Sequence, residues 1–190
     1  MKGYIYTMFA GADPGTGWNM TDPIFGNPPT MGACMPQIRR NVEVDDFIFT
    51  ISGRTKGVQQ YIVGGFQVKE KIHALQARER FPKNIQKLNE DGTISGNIII
   101  DENGFQHKFD YHGGDFKTRV ENYIIGKNKI MIDKPAQIEK ARGEHTLEVL
   151  REIFNVNGGS KPADIIGRWR KINDSHIKTL VHWIDVVKHL

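Results

Sequence analysis

The chain of 190 residues is long enough for one domain with a real core, and its 38% hydrophobic and 25% charged residues exclude a disordered protein. Its single cysteine excludes an internal disulfide and a zinc site made of several cysteines. The net charge of +4 is mild, but residues 54–87 hold eight basic and two acidic side chains. Such a segment suits either a phosphate-bearing partner or a solvated surface with no partner.

The sequence shows no sign of a membrane segment or a signal peptide. No apolar run approaches the ~20 residues that a membrane helix needs. The first residues alternate like a strand and lack the apolar core and cleavage site of a signal peptide. We therefore expect a cytoplasmic protein with no membrane partner.

Hydrophobic periodicity and turn residues define the expected elements in chain order. They predict strands at residues 4–9, 47–51 and 61–68, a helix at 69–80, hairpins at 97–111 and 120–132, and helices at 146–154 and 174–190. The irregular segment at residues 11–35 contains Trp18 and Phe25, which favour an ordered lid or pocket wall over a flexible insertion. The sum is a single α+β domain over residues 1–190, with a curved mixed sheet or barrel and peripheral helices.

Basic side chains near two predicted turns are the first candidates for ligand binding. Arg39 and Arg40 follow a proline turn, and Arg54 and Lys56 lie in a loop flanked by glycines, with Ser52 on its polar rim. An arginine fork matches a phosphate or a base edge, and glycines let the backbone approach a ligand closely. Alternatively, Arg39 bonds backbone carbonyls or pairs with a nearby carboxylate, and the loop cations are ordinary surface charges.

Aromatic residues form the second group of candidates, since they can stack on a flat base. Trp18 is the strongest of them because it lies in a glycine-rich segment, and Tyr61 and Tyr111 are further ones. His145 follows a glycine at the start of a predicted helix. There it either contacts an anionic ligand or caps the helix.

Two further features carry weaker chemical signals. The segment from His107 to Asp115 holds two histidines and two aspartates, but His107 and Asp110 would point to opposite faces of a strand, so we expect no metal and no cofactor. Cys34 would need a positioned base to act as a nucleophile, and His145 can serve only if the fold brings it close. Common hydrolase, Walker, zinc-protease and deaminase motifs are absent, which favours a non-catalytic binding module.

Several short motifs occur together in the first seventy residues: Lys2-Gly3-Tyr4-Ile5-Tyr6, Asn27-Pro28, Cys34-Met35-Pro36-Gln37-Ile38-Arg39-Arg40, Val44-Asp45-Asp46-Phe47-Ile48 and Ser52-Gly53. This pattern resembles the nucleotide modification associated domain 2 family of bacterial and phage proteins. Arg142-Gly143-Glu144-His145 resembles a later Arg-Gly-x-His element of that family. More distantly, the region is similar to PUA-like domains (EVE, ASCH and YTH), although Asp45-Asp46 stands where those domains usually have Gly-Asp.

The resemblance implies a PUA-like barrel and a role around modified nucleic acid. We therefore predict binding of a nucleotide or a modified base, in a bacterial or phage modification or defence context. The base would lie between the 11–35 segment and the 52–57 loop, and the predicted ligand residues are Trp18, Arg39, Arg40, Ser52, Arg54, Lys56, Tyr61 and His145. The alternatives are an enzyme that modifies or hydrolyses a nucleotide through Cys34 or His145, and a protein-interaction factor in phage–host conflict.

Overall fold

A computed structural model describes residues 1–189 and confirms the α+β class. The described residues form eight strands: β1 (Lys2–Thr7), β2 (Thr30–Met31), β3 (Phe47–Ile51), β4 (Ile62–Ile72), β5 (Lys87–Leu88), β6 (Ile94–Ser95), β7 (Tyr123–Met131) and β8 (Trp169–Asn173). They also form seven α-helices: α1 (Pro36–Asn41), α2 (Ala74–Arg80), α3 (Phe116–Val120), α4 (Pro135–Ala141), α5 (Glu144–Phe154), α6 (Pro162–Ile166) and α7 (Asp174–His189).

Six of these strands form one mixed sheet in the order β2-β7-β4-β3-β1-β8. Strand β1 pairs in parallel with β3 and antiparallel with β8, and β3 pairs antiparallel with β4. The sheet has edges at β2 and β8, so within residues 1–189 it is open and does not close into a barrel. Strands β5 and β6 form a separate two-stranded ribbon.

The most strongly patterned elements lie where the sequence predicts them. Strand β3 matches its predicted range, and α5 and α7 match theirs closely, while Leu190, the last residue predicted for α7, lies outside the described residues. Helix α7 buries side chains that recur at helical spacing: Ile177, Leu180, Ile184 and Val187. None of the helices in residues 1–189 is long and apolar enough to cross a membrane.

The chain divides into two compact units, of which the first comprises Met1–Trp18, Asp45–Gln67 and the residues from Asn128 onward. Strands β1 and β3 supply fully buried side chains to this unit, among them Ile5, Ile48 and Phe49. Helix α5 packs against α6 and α7 in the same unit.

The second unit comprises Asn19–Val44 and Val68–Lys127. Its core is a cluster of buried residues from β2 to β7 and the segments between them: Ala33, Ile72, Ala74, Ala77, Ile98, Ile99, Ile100, Val120, Tyr123 and Ile125. Strand β2 pairs antiparallel with the start of β7, with Thr30 opposite Ile125. Helices α1, α2 and α3 belong to this unit.

One predicted hairpin is wrong, and another forms only in part. The hairpin predicted at 120–132 is the single strand β7, in which Asn128 adopts a positive φ of 48° without reversing the chain. The hairpin predicted at 97–111 is reduced to an isolated bridge between Ile100 and Gln106. Glycine and asparagine supplied the turn signal in both cases, and tertiary packing decided whether the chain turned there.

The helix predicted at 69–80 begins only at Ala74, because β4 continues to Ile72. Its apolar face also differs from the prediction. Leu75 is 45% exposed, whereas Ala74 and Ala77 are buried in the core of the second unit. A long strand thus takes up residues whose own pattern suits a helix.

Gly53 lies where two backbone segments of the first unit touch, and we expect Gly53→Ala to lower the free energy of unfolding by about 1–3 kcal/mol. A Cβ at this position would collide with the carbonyl oxygen of Phe9. Urea denaturation measures the change. Gly113→Ala is the control, since open space surrounds Gly113 and its φ does not require glycine. Equal stability of the two variants would contradict the prediction.

Candidate functional site

The loop predicted to border the ligand packs directly on the start of the irregular segment, within the first unit. The N–H of Gly53 donates to the carbonyl of Ala12 at 2.7 Å, and the N–H of Gly11 donates to the carbonyl of Arg54 at 3.0 Å. These bonds join the two segments at the place where a base was predicted to lie between them. The loop offers a ligand the exposed side chains of Arg54 and Lys56.

Ser52 and Tyr61 are buried in the same unit. The hydroxyl of Ser52 accepts the N–H of Tyr61 at 3.0 Å, and the guanidinium of Arg142 lies 4.9 Å from the centre of the Tyr61 ring. Arg142 also donates to the buried carboxylate of Asp13 through two hydrogen bonds of 2.9 and 3.1 Å. Ser52 and Tyr61, which were both predicted to bind the ligand, therefore lie in the packed interior of the first unit.

Trp18 and His145 keep accessible surface in the first unit. Trp18 is half-buried, and its ring meets that of Phe9 edge to face at a centroid distance of 5.4 Å. His145 is exposed in the first turn of α5. Their predicted contacts with a ligand stay predictions.

Arg39 and Arg40 are neighbours on α1 in the second unit, but their environments differ. Arg39 is buried, and its guanidinium donates to the carbonyls of Cys34 at 2.9 Å, Arg119 at 3.0 Å and Asn122. The structure thus shows the alternative in which Arg39 bonds backbone carbonyls. Of the two arginines, Arg40 is the one that is exposed.

The segment that ends at Cys34 is organised around the buried carboxylate of Asp22. This carboxylate accepts the N–H of Gly32 at 2.8 Å, that of Ala33 at 3.0 Å and that of Cys34. Asn97 donates a further hydrogen bond at 3.0 Å. Burial raises the pKa of Asp22, although these hydrogen bonds oppose the shift. Three successive backbone donors are satisfied in this way, and they hold Cys34 in place.

Cys34, His112 and Asp110 form a chain of contacts in the second unit. The Sγ atom of Cys34 lies 4.0 Å from Nε2 of His112, and Nδ1 of His112 lies 2.8 Å from Oδ1 of Asp110. The carboxylate of Asp110 has no exposed surface, and Arg119 donates to it at 2.8 and 2.9 Å. A thiol, an imidazole and a carboxylate in this order match a nucleophile, its base and the group that orients the base.

The charge of Asp110 decides which nitrogen of a neutral His112 carries the proton. Burial acts to raise the pKa of Asp110, but hydrogen bonds from His112 and Arg119 and the charge of Arg119 outweigh it and hold the pKa well below its usual range. An ionised carboxylate only accepts hydrogen bonds, so Nδ1 of His112 is the donor. Nε2 then turns its lone pair towards the thiol of Cys34.

Cys34 rests as a thiol and not as a thiolate. Burial raises its pKa, and the carboxylate of Asp22 raises it further. A preformed ion pair of thiolate and imidazolium is therefore disfavoured. The arrangement instead suits proton transfer to His112 at the moment when the sulfur attacks.

This cluster opens to solvent on its imidazole side. The side chain of His112 is 30% exposed, and Cys34 is half-buried. The neighbouring Tyr111 is 73% exposed, and its ring is nearly parallel to the imidazole at a centroid distance of 4.8 Å. An exposed aromatic ring thus lies beside the imidazole that contacts the thiol, and a flat group can stack on it.

The histidines and aspartates of residues 107–115 do not converge on one point. Asp110 uses both oxygens on Arg119 and one of them also on His112, and Asp115 accepts the N–H of Lys117 at the start of α3. Within residues 1–189, no group of three or more His, Cys, Asp or Glu side chains is arranged to hold a metal ion.

The sequence pointed to only part of this cluster. It offered His145 as a base for Cys34, whereas the thiol contacts His112, 78 residues further along the chain. Asp22 and Arg119 were missed, because an aspartate in a loop and an arginine in a short helix carry no periodic signal. The spacing of Asp110 and His112 was the available signal, since side chains two apart in an extended segment share a face.

The fold and this cluster define an α+β protein with an open mixed sheet and a Cys–His–Asp chain of contacts. The model of the nucleotide modification associated domain 2 family matches residues 5–138, and the chain belongs to this family. The match includes Cys34, Asp110 and His112, whereas the Arg142–His145 element lies beyond it. No curated protein and no solved structure matches the chain. Membership in the family puts the protein in the context of nucleotide modification.

Proposed function

We propose that the protein binds a nucleotide, or a modified base within nucleic acid, as part of nucleotide modification. Membership in the family over residues 5–138 is the observation that carries this proposal. The PUA-like character of the fold, the cytoplasmic location and the bacterial or phage setting belong to the same proposal. These three features follow from the composition of the chain and from the families that its motifs resemble.

The surface that we favour for the base lies in the second unit, where Tyr111 and His112 form a parallel ring pair. Tyr111 is the most exposed aromatic residue of that unit, and its ring lies 4.8 Å from that of His112, whose imidazole in turn contacts the thiol of Cys34. The competing surface lies in the first unit and consists of Trp18, Arg54, Lys56 and His145. Buried Ser52 and Tyr61 would support that surface from beneath.

We expect Tyr111→Ala to weaken binding about 5- to 150-fold, which corresponds to the loss of one stacked base. Fluorescence anisotropy measures this at low salt with labelled single-stranded oligonucleotides, plain and base-modified, and with free nucleotides as competitors. Phe105→Ala is the matched control, because Phe105 is 70% exposed on the same segment. Binding through phosphate contacts should also weaken with added salt.

Trp18→Ala and the double variant Arg54→Ala/Lys56→Ala test the competing surface. Loss of binding in these variants, with none in Tyr111→Ala, would move the site to the first unit. If the wild-type protein binds none of the oligonucleotides or nucleotides at low salt, the proposal is overturned.

A further inference from the structure

We infer that Cys34, His112 and Asp110 form a nucleophilic catalytic site that attacks an acyl carbon carried by a nucleotide. The nucleotide part of this inference rests on the proposed function. Cys34 is the nucleophile, His112 is its general base, and Asp110 is a positioning residue that acts through His112. Three contacts carry the inference: Sγ to Nε2 at 4.0 Å, Nδ1 to Oδ1 at 2.8 Å, and the double hydrogen bond from Arg119 to Asp110.

The side chains of the site are held at both ends. Arg119 and Gln106 hold the carboxylate of Asp110, so the imidazole has a defined tautomer and orientation. The carboxylate of Asp22 accepts the backbone N–H of Cys34, which lies just before the start of α1. A base fixed through a second group and a nucleophile on an anchored segment are what covalent catalysis requires.

The substrate class follows from the nucleophile and from the surroundings. The backbone amides next to Cys34 already donate to Asp22, so they form no phosphate cradle at the thiol, and a carbonyl carbon is the favoured electrophile over phosphorus. The exposed ring of Tyr111 beside His112 suits a flat base that carries the reacting group. The structure thus indicates an ester, thioester or amide attached to a nucleobase or to its sugar.

The reaction balances with water as the only co-reactant. The sulfur of Cys34 bonds to the acyl carbon, and the thiol proton passes to Nε2 of His112. The bond from that carbon to the leaving oxygen, sulfur or nitrogen then breaks, and His112 returns the proton to the leaving group. Water next attacks the thioester while His112 takes its proton. The S–C bond breaks, the acid departs, and the proton returns to the sulfur.

General-base assistance is the main contribution that this site can make. The N–H groups of Gly32, Ala33 and Cys34 already donate to Asp22, so they are not free to stabilise an oxyanion. Proton transfer by a positioned imidazole typically contributes about 10²- to 10⁴-fold to the rate. That range sets the effect expected from removing His112.

Acylation of Cys34 by p-nitrophenyl acetate tests the inference with the full-length protein. Mass spectrometry of the peptide containing residue 34 follows the S-acetyl product over time, and Cys34→Ala gives the background. His112→Ala should slow this acylation about 10²- to 10⁴-fold at neutral pH. The deficit should shrink towards alkaline pH, because a thiol that ionises without help no longer needs a base. A purely structural role of His112 would not produce that pH dependence.

Two further variants separate the base from its surroundings. His107→Ala is the matched control, since His107 is another partly exposed histidine on the same segment, and its acylation rate should equal that of the wild type. Asp110→Asn can donate an amide N–H to Nδ1 and so place the imidazole proton on Nε2. It should therefore slow acylation although His112 is present, and thermal unfolding verifies that the variant is folded.

Equal acylation of Cys34 in the wild type and His112→Ala would overturn the inference, and so would acetylation confined to lysines. The reporter ester carries no nucleotide. Its failure therefore refutes the nucleophilic site alone, whereas failure of the oligonucleotide titration refutes nucleotide binding alone.

Discussion

Replacing Arg119 by methionine is expected to lower the free energy of unfolding by about 3–5 kcal/mol. The carboxylate of Asp110 has no exposed surface, and Arg119 donates two hydrogen bonds to it. The variant keeps this carboxylate buried but removes the guanidinium that pairs with it, leaving His112 and Gln106 as donors. Removing one partner of a buried ion pair leaves the other charge buried without compensation, which strongly destabilises the folded state. Urea denaturation at pH 7 measures the change.

Arg80→Met is the matched control for this experiment. Arg80 forms a similar double hydrogen bond with Glu70, but the two side chains are 45% and 40% exposed. Exposed pairs typically contribute about 0–1 kcal/mol, so this variant should remain close to the wild type. Equal losses in the two variants would show that the pair of Asp110 and Arg119 does not behave as a buried one.

The loss caused by Arg119→Met should also depend on pH. In the folded wild type the pKa of Asp110 lies below its usual range, so this carboxylate contributes stability that is present above the unfolded-state pKa of about 3.9 and lost as the pH falls through the folded-state pKa. Without Arg119, we expect the effect of burial to dominate and to raise the pKa of Asp110. Protonation of Asp110 at low pH then removes the buried charge and restores stability. The difference between the two proteins should shrink as the pH falls from about 7 to 4. A constant difference would contradict this account.

Arg39→Met should lower the free energy of unfolding by about 3 kcal/mol or more, because each buried carbonyl left without a donor costs about 1–3 kcal/mol. The guanidinium of Arg39 donates to the carbonyls of Cys34, Arg119 and Asn122. These carbonyls belong to the segments that carry the thiol and the partner of Asp110. Urea denaturation measures the loss, and slower acylation of Cys34 should accompany it.

Arg40→Met is the control, since Arg40 is the next residue on α1 and is exposed. Its stability should stay within about 0.5 kcal/mol of the wild type, as for most surface substitutions. If Arg40 contacts phosphate, this variant instead weakens oligonucleotide binding. A stable Arg39→Met protein with weakened binding would restore the role in phosphate binding that the sequence suggested for Arg39.

Elements with a strong local pattern could be predicted from the sequence. Helix α7 repeats its apolar residues at helical spacing, and β3 is a short run of apolar and β-branched residues between polar segments. The hairpin predicted around Asn128 failed because its turn residues lie inside the continuous strand β7. Local turn chemistry cannot reveal that the chain on both sides is committed to one long strand.

The candidate site was less accessible to prediction than the fold. Cys34 and His112 are 78 residues apart in the sequence, and only the tertiary structure brings their side chains into contact. The structure also shows partners for basic side chains of the segment at 54–87. Arg80 pairs with Glu70, and Lys71 donates to the carbonyls of Arg40 and Val42. At least these two of its eight basic side chains therefore already have partners within the protein.

The carboxylate of Asp22 has a consequence for ligand choice. Runs of successive backbone amides commonly capture a phosphate or sulfate from solution. Here the chain provides its own anion, so the amides of Gly32, Ala33 and Cys34 are occupied before any ligand arrives. These three amides are therefore not available to anchor a phosphate group. Under the proposed function, discrimination at this segment would fall to the base and its substituents.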